Sequence, residues 1–560
     1  MRKSGSLIFG IALVFCLLLP GCHTSDPMIM ETIQEQTVPV VETIDPPMGT
    51  NGYPWWNDTV FYQIFIRNFY DHGSDSIGDF KGIIEKLDYL QELGVTGIYL
   101  MPIHPSGDPS VDSSGYRVED YLAVNQDFGT LEDFKDLVSE VHRKGMRIII
   151  DLVLNHTSDR HPWFIAAQDP NSSYRDYYIW SEDKPDSRGD WDQEVWFEGE
   201  SGFYFATFGE HFPDLNYNNP AVTNEFEQIV KYWLVDIGVD GFRLDAAKHL
   251  IEEDPQHQVH TASTHAWYAS FREYVKSLDP DALIAGEVWD VDPSILASYA
   301  EGDELDLTWE FGVSQAITDS VSSGKNTSIK DVLEQTYQVM PDLQFITFLS
   351  NQDMARIMTR LGNDAEKAKI AASILLTIPG VPCIYNGEEI GMQGEQENYY
   401  ESLLIPMQWT DEDNSPSWKE GWESVSPDYL SYNVADEIND PDSILAHYRS
   451  MINVRNQHPS LRVGDLNIIS TSTTGLFSFL RDSEQESILV IINLTDEPIT
   501  DYQLSLKESP LAVGTYMAAS LLGEGMFEDL EVESDGSFTG YEPCRQIPPY
   551  STLVIALTQQ

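Results

Sequence analysis

VTGIYLM (95–101), LEDFKDLVSEVHRK (131–144) and MRIIID (146–151) lie in succession in the chain. A short apolar run, a helical stretch and a second apolar run ending in an acid make one β/α unit, and the unit recurs in both directions. Upstream, Val60–Ile66 is a strand candidate, followed by a helix with Phe80, Ile83, Ile84, Leu87, Leu90 and Leu93 on one face. Downstream, the strand candidates are Val239–Leu244, Ala282–Gly286, Leu305–Thr308, Gln344–Leu349 and Val381–Tyr385. Eight short strands, most separated by helical stretches, predict parallel β/α units. The expected fold class is α/β, a (β/α)8 TIM barrel carried by residues 51–155 and 218–462. A doubly wound open sheet is the alternative, but no glycine-rich dinucleotide fingerprint opens the first unit.

The rhythm stops between Asn155 and about Tyr217, in a stretch rich in Trp, Asp, Gly and Pro. Residues 156–217 are therefore expected to form a small lobe inserted after the third strand. After Arg462 the helical period disappears, and Leu476–Leu480, Ile488–Asn493 and Leu553–Leu557 read as β-prone segments. They predict a C-terminal antiparallel β-sandwich over residues 463–560.

A chain of 560 residues exceeds one hydrophobic core, which agrees with this division. Acidic residues number 91 against 32 basic ones, a formal charge of −59. Such a field repels nucleic acid and anionic membrane surfaces and is indifferent to a neutral polysaccharide. A solvated acidic surface and a salty habitat both account for it. At the N-terminus, Arg2 and Lys3 precede the apolar run Ile8 to Leu19, which ends in Leu19-Pro20-Gly21-Cys22. This pattern is a secretory signal, too short to span a bilayer stably. Its ending resembles a bacterial lipobox that would acylate Cys22. Residues 1–22 are thus expected to be a lipoprotein signal, and residues 23–50 a flexible tether to the folded body. The expected place is the outer face of a bacterial membrane, reached only through the lipid anchor at Cys22, with secretion as the alternative. A monomer is expected. Cys383 and Cys544 alone remain for a disulfide, too few for a disulfide framework.

Barrel catalysis takes place at the C-terminal ends of strands. The third strand leads into Asp151-Leu-Val-Leu-Asn155-His156, and the fourth into Arg243-Leu-Asp245-Ala-Ala-Lys248-His249. The fifth gives Gly286-Glu287-Val-Trp289, and the seventh Asn351-Gln352-Asp353. Carboxylates on one rim repel, a cost that a purely structural rim would avoid. Side chains two apart on a strand share a face, so Arg243 and Asp245 should both enter the mouth. Arg243 is expected to keep Asp245 ionised as a nucleophile, while Glu287 is expected to stay protonated as a general acid. Two carboxyls about 5 Å apart across a glycosidic bond make the retaining arrangement.

These motifs, in this order, resemble the conserved regions of the α-amylase superfamily, glycoside hydrolase family 13. The resemblance covers about residues 53–560. It implies that Asp245 is the nucleophile, Glu287 the acid/base and Asp353 the acid that holds the distorted sugar. It also implies that Arg243 and His156 contact the sugar in the −1 site and the nucleophile, and that Tyr116 stacks on the substrate. Asp151, Lys248, His249, Trp289 and Gln352 join them as substrate contacts, and Phe212-Pro-Asp214-Leu-Asn216 resembles the motif closing the lobe. Lys248-His249 and Ala246 resemble α-1,4-acting members. Exo-acting relatives tend to carry Asp where this chain has Arg117, and Arg where it has Leu404. An open, endo-acting cleft for starch-like glucans and maltooligosaccharides follows as the expectation. An α-glucosidase or oligo-1,6-glucosidase is the alternative enzyme, and a surface glucan-binding protein the alternative outside catalysis.

Gln352 departs from the family, which reads Asn-His-Asp there; Gln can donate through its amide but cannot become cationic. Calcium is the implied cofactor, in structural sites. Asp71, Asp75, Ile77 and Asp79 lie in a loop with the oxygen-rich spacing calcium uses, although Gly73 stands where Asn often supplies a ligand. A solvated acidic turn is the alternative for that loop. Asn155, Asp214 and the carbonyl of His249 match a second family site between barrel and lobe.

Overall fold

The computed structural model describes residues 47–107, 114–300, 302–395, 403–411, 426–523 and 525–560. The expected signal, the acylated Cys22 and the tether as far as residue 46 lie outside the described residues.

Eight parallel strands close into a barrel. They are β1 (Phe61–Ile64), β2 (Gly97–Leu100), β3 (Arg147–Leu152), β7 (Gly241–Leu244), β8 (Leu283–Gly286), β9 (Leu307–Trp309), β10 (Phe345–Phe348) and β11 (Val381–Tyr385). Each falls at a segment read from the sequence, trimmed by a residue or more at most ends. The helix after β1, α1 (Phe80–Leu93), buries Phe80, Ile83, Leu87, Leu90 and Leu93, the expected apolar face; Ile84 lies at its half-buried edge. Asp79 caps it, accepting a hydrogen bond from the Gly82 N–H, and Gly94 ends it at φ 96°. The next helix, α2 (Leu131–Arg143), opens with a capping box of Thr130 and Asp133.

Alternate residues of the strands point inward and form their own core: Phe61, Tyr99, Ile149, Leu283, Ala285, Leu307, Trp309, Ile346, Phe348, Val381 and Cys383. That parity sets where the site residues go. Gln63 follows Phe61, Asp151 follows Ile149, and Glu287 follows Ala285 on the inward side.

Between β3 and a helix at Pro220–Lys231 the chain makes the expected excursion. It contains a three-stranded sheet of β4 (Trp180–Ser181), β5 (Trp196–Gly199) and β6 (Gly202–Phe205). Its base is closed by a bridge between His156 and Asp214 and by the Leu215 N–H donating to Asn155 O at 2.8 Å.

The C-terminal region is antiparallel. A six-stranded sheet runs β12 (Asp465–Ile468), β14 (Leu476–Asp482), β15 (Ser487–Asn493), β20 (Thr552–Gln559), β17 (Gly514–Leu522) and β18 (Leu530–Val532). A smaller sheet joins β13 (Ser470–Thr471), β16 (Leu504–Leu506) and β19 (Phe538–Tyr541). One face of the large sheet, with Leu480, Leu489, Ile491 and Ile555, packs with the small sheet's Leu504 and Phe538. The other, with Phe477, Phe479, Val490 and Val554, joins the barrel's outer core. Arg481 fastens that junction, donating to the carbonyls of Thr377, Leu461 and Gly464. Cys383 and Cys544 are both free thiols.

Candidate active site

The acids stand where the strands end. Register pairs Asp151 with Arg243 across β3 and β7, and Arg243 with Ala285 across β7 and β8. Gly241 permits this close pairing: its φ is 156°, and a Cβ there would lie 2.3 Å from the Leu283 carbonyl oxygen. Just past β7 and β8 the chain turns through left-handed residues, Ala246 at φ 50° and Trp289 at φ 45°. Such conformations cost roughly 1 kcal/mol or more each in non-glycine residues and gather at functional sites.

The Arg243 guanidinium is buried and faces three carboxylates. Its Nη1 lies 2.9 Å from Asp151 Oδ1 and 2.7 Å from Asp245 Oδ1, and its Nη2 lies 2.7 Å from Glu287 Oε2. Tyr99 and Tyr116 donate to Asp151 Oδ2 at 2.7 and 3.0 Å, so Asp151 is held as an acceptor. Glu287 is pushed up to about 7, by burial first and then by Asp245 and Asp151 against the pull of Arg243. Asp245 is also pushed up to about 7, again by burial first. Arg243 pulls the Asp245 carboxyl down, while burial and the neighbouring Asp151 and Asp353 push it up. One cation faces three acids, so Asp245 and Glu287 both hold a proton more tightly than an ordinary carboxyl does.

Asp353 faces this group from β10's end. Gln352 Nε2 lies 2.8 Å from Asp353 Oδ2 and 3.2 Å from the Tyr116 hydroxyl. Gln63, which the sequence reading passed over, donates to Gln352 Oε1 at 2.7 Å. A cavity of about 310 Å³ opens above them, lined among others by Tyr116, His156, Asp245, Glu287, Trp289 and Asp353. Lys248 and His249 line it too. Lys248 Nζ approaches the Trp289 carbonyl at 3.3 Å, and the His249 ring packs against Phe208 and Trp191. Trp289 and Trp191 are both about half exposed at 47% and 48%. Trp191, in the irregular part of the lobe, carried no signal in the sequence. His156 lines the cavity but hydrogen-bonds the Tyr116 carbonyl and the Asn155 amide rather than Asp245. Arg117 is buried and paired to Asp159 at 2.8 Å, and Leu404 is buried in the core. A larger cavity of about 470 Å³, between the lobe and residues 252–258, holds none of the strand-end carboxylates.

The residues expected to hold metal divide. In the loop before α1, Asp71 and Asp79 meet across Gly73, where a Cβ would lie 3.5 Å from Asp71 Oδ1 and 3.8 Å from Asp79 Oδ2. Asp75 is exposed and its Oδ1 accepts the Ile77 N–H at 3.0 Å. Among the described residues no three His, Cys, Asp or Glu side chains gather as a metal cluster, so any site must use amide and carbonyl oxygens.

The barrel–lobe junction supplies them. Burial pushes His156 down to about 4, so it is neutral. Its Nδ1 faces Asn155 Oδ1 at 3.1 Å and its Nε2 the Tyr116 carbonyl at 3.2 Å. The other end of the Asn155 amide, Nδ2, donates to the His249 carbonyl at 2.8 Å and lies 3.5 Å from Asp214 Oδ2. Beside them Glu252 Oε1 is buried with no hydrogen-bond partner, and Glu252 and Asp214 are both pushed up, by burial first. The Asp214 and Glu252 carboxylates and the His249 carbonyl are oxygen donors of the kind a hard cation takes.

Comparison with known proteins agrees with this architecture. Residues 63–464 match the family model described as alpha amylase, catalytic domain. The chain is 39% identical to alpha-amylase 3 of Dictyoglomus thermophilum over 79% of this chain and 86% of that protein. It is 32% identical to an oligo-1,6-glucosidase of Parageobacillus thermoglucosidasius over 79% of this chain and 91% of that protein. A crystal structure of an alpha-amylase from H. orenii superposes with a TM-score of 0.75 at 36% identity, covering 89% of this chain and 99% of that one. The chain belongs to the α-amylase family, glycoside hydrolase family 13, and is a glycoside hydrolase of that type.

Proposed function

We propose that the protein is an endo-acting α-amylase that hydrolyses α-1,4-glucosidic bonds with retention of configuration. The observation that carries the chemistry is the grip of one guanidinium on Asp245 and Glu287, through neighbouring nitrogens. Retaining pairs stand about 5 Å apart, and two carboxyls each 2.7 Å from an arm of a single Arg are held close together as that arrangement needs. In this reading the free enzyme that binds substrate carries the proton on Glu287, and Asp245 is the anion. Asp245 attacks the anomeric carbon, Glu287 protonates the departing glycosidic oxygen, and a glycosyl ester forms on Asp245. Glu287, now anionic, takes a proton from water, which attacks the same carbon and releases the sugar with its configuration retained. Asp353 and the Gln352 amide hold sugar hydroxyls in the distorted −1 ring, and Tyr116 offers the stacking face.

The α-1,4 and endo preference is supported by Lys248 and His249 along the cavity and by Arg117 and Leu404 being used inside the fold. The higher identity to the relative named an α-amylase supports it as well. Size analysis of products from amylose and from an α-1,6-linked isomaltooligosaccharide tests this. Early maltooligosaccharides from amylose alone are expected; glucose alone, or faster release from the α-1,6 substrate, refutes it.

Calcium held by Asn155, Asp214, His249 O and Glu252 would brace barrel against lobe, and the retaining chemistry needs no metal. We also propose that acylation of Cys22 holds the enzyme on the outer face of a bacterial membrane, where it meets polysaccharide. Labelling with a radioactive fatty acid that persists in Cys22→Ala would refute that.

A further inference from the structure

We infer that Gln63 is a positioning residue that fixes the Gln352 amide with its N–H end toward Asp353 and the bound sugar. The inference rests on the retaining-hydrolase reading above. Gln63 is the single amide side chain of FYQIF (61–65), points into the barrel behind Phe61, and is buried with 2% exposure. Gln352 is equally buried. An isolated Gln amide turns either end to its neighbours, and here the neighbours leave one choice. Asp353 Oδ2 accepts from Gln352 Nε2. Tyr116 gives its hydrogen to Asp151, which leaves the Tyr116 oxygen as an acceptor as well. Gln352 must therefore aim its NH2 at both, at 2.8 and 3.2 Å. Its Oε1 is then buried and needs a donor, and Gln63 Nε2 at 2.7 Å is that donor. The chain thus substitutes for an imidazole at position 352 with two amides in series, and the outer one sets the direction of the inner one.

Gln63→Glu and Gln63→Leu separate this from packing. Glutamate matches Gln in size; protonated, it donates to Gln352 Oε1, and ionised, it repels that oxygen and turns the amide. Measured on a maltooligosaccharide, kcat of Gln63→Glu relative to the parent should fall at least about tenfold as pH rises from about 5 to about 8. Gln63→Leu should show a loss of about threefold to tenfold that does not change with pH. A role in packing alone predicts that the isosteric Glu is tolerated at every pH, so a flat Gln63→Glu ratio overturns the proposal. A double-mutant cycle guards against a folding defect in Gln63→Glu. Gln63→Leu should lower kcat in the parent yet leave Gln352→Met unchanged within about twofold; equal losses in both overturn it. Glu287→Gln in the same assay distinguishes the two levels. Full activity there fells the reading of the site and this proposal with it, whereas a flat ratio beside an inactive Glu287→Gln fells the proposal alone.

Discussion

Arg243→Met removes the guanidinium that stands 2.7 to 2.9 Å from Asp151, Asp245 and Glu287 and leaves three buried acids facing one another. The hydrolysis proposed here needs Asp245 ionised before substrate binds. Burial already holds that group up at about 7 with Arg243 in place. Removing one partner of a buried ion pair costs about 3 kcal/mol at the low end. At about 1.36 kcal/mol per pKa unit, that is about 2 units added to the acid limb. The kcat/KM profile reports ionisations of the free enzyme, so its acid limb should move up by about 2 pH units, with about a hundredfold loss at pH values below it. Arg243→Lys keeps the charge, but one ammonium cannot serve the partners of both Nη1 and Nη2, so it should fall between the two. Initial rates of reducing-sugar release across pH, with thermal melts to confirm folding, provide the assay. An acid limb within about half a unit of the parent, or a uniform loss at every pH, refutes the electrostatic account of the site.

Chelation should lower Tm of the parent by several degrees, since a metal at a hundredfold excess over Kd contributes about 2.7 kcal/mol. Asp214→Ala and Glu252→Ala should lose that response, and a chelator-insensitive parent would contradict the junction site. Trp191→Ala removes an exposed ring beside His249, so kcat/KM for long maltooligosaccharides should fall about threefold to tenfold, while an aryl maltoside with a small leaving group is unaffected. Equal losses on both substrates would place Trp191 outside the leaving-group side. Glu437 is buried, its Oε1 has no partner, and burial pushes it up to about 8. A carboxyl raised in the folded state binds its proton more tightly there. Its contribution is therefore full below the ordinary value of 4.5 and is lost as pH rises toward 8. Glu437→Gln should accordingly raise Tm more at pH 8 than at pH 5, by calorimetry, and an equal change at both would refute the assignment.

The barrel was legible because each strand is a short run of β-prone apolar residues between helical stretches, and the strand-end acids stand out against such runs. Gln63 escaped because one amide inside FYQIF looks like a tolerated polar residue; strand parity, counted from Phe61, would have placed it in the mouth. Glu252 escaped because it follows no strand end, and only burial reveals that its oxygen lacks a partner. Trp191 lies where the lobe has no periodicity from which to infer a face. The raised Asp245 carboxyl was hidden for a different reason. Sequence adjacency counts the nearest cation but not the desolvation and the further acids that tertiary packing brings.

The claim that Asp245 is the nucleophile of a retaining hydrolysis is tested most directly by trapping its ester. In Glu287→Gln, a maltosyl fluoride with the α configuration needs no acid to depart, while deglycosylation lacks its base. Mass spectrometry of the digested protein should find one glycosyl unit on the peptide that carries Asp245. An adduct on Asp151 or Asp353 instead, or none while the fluoride is consumed, would contradict the account.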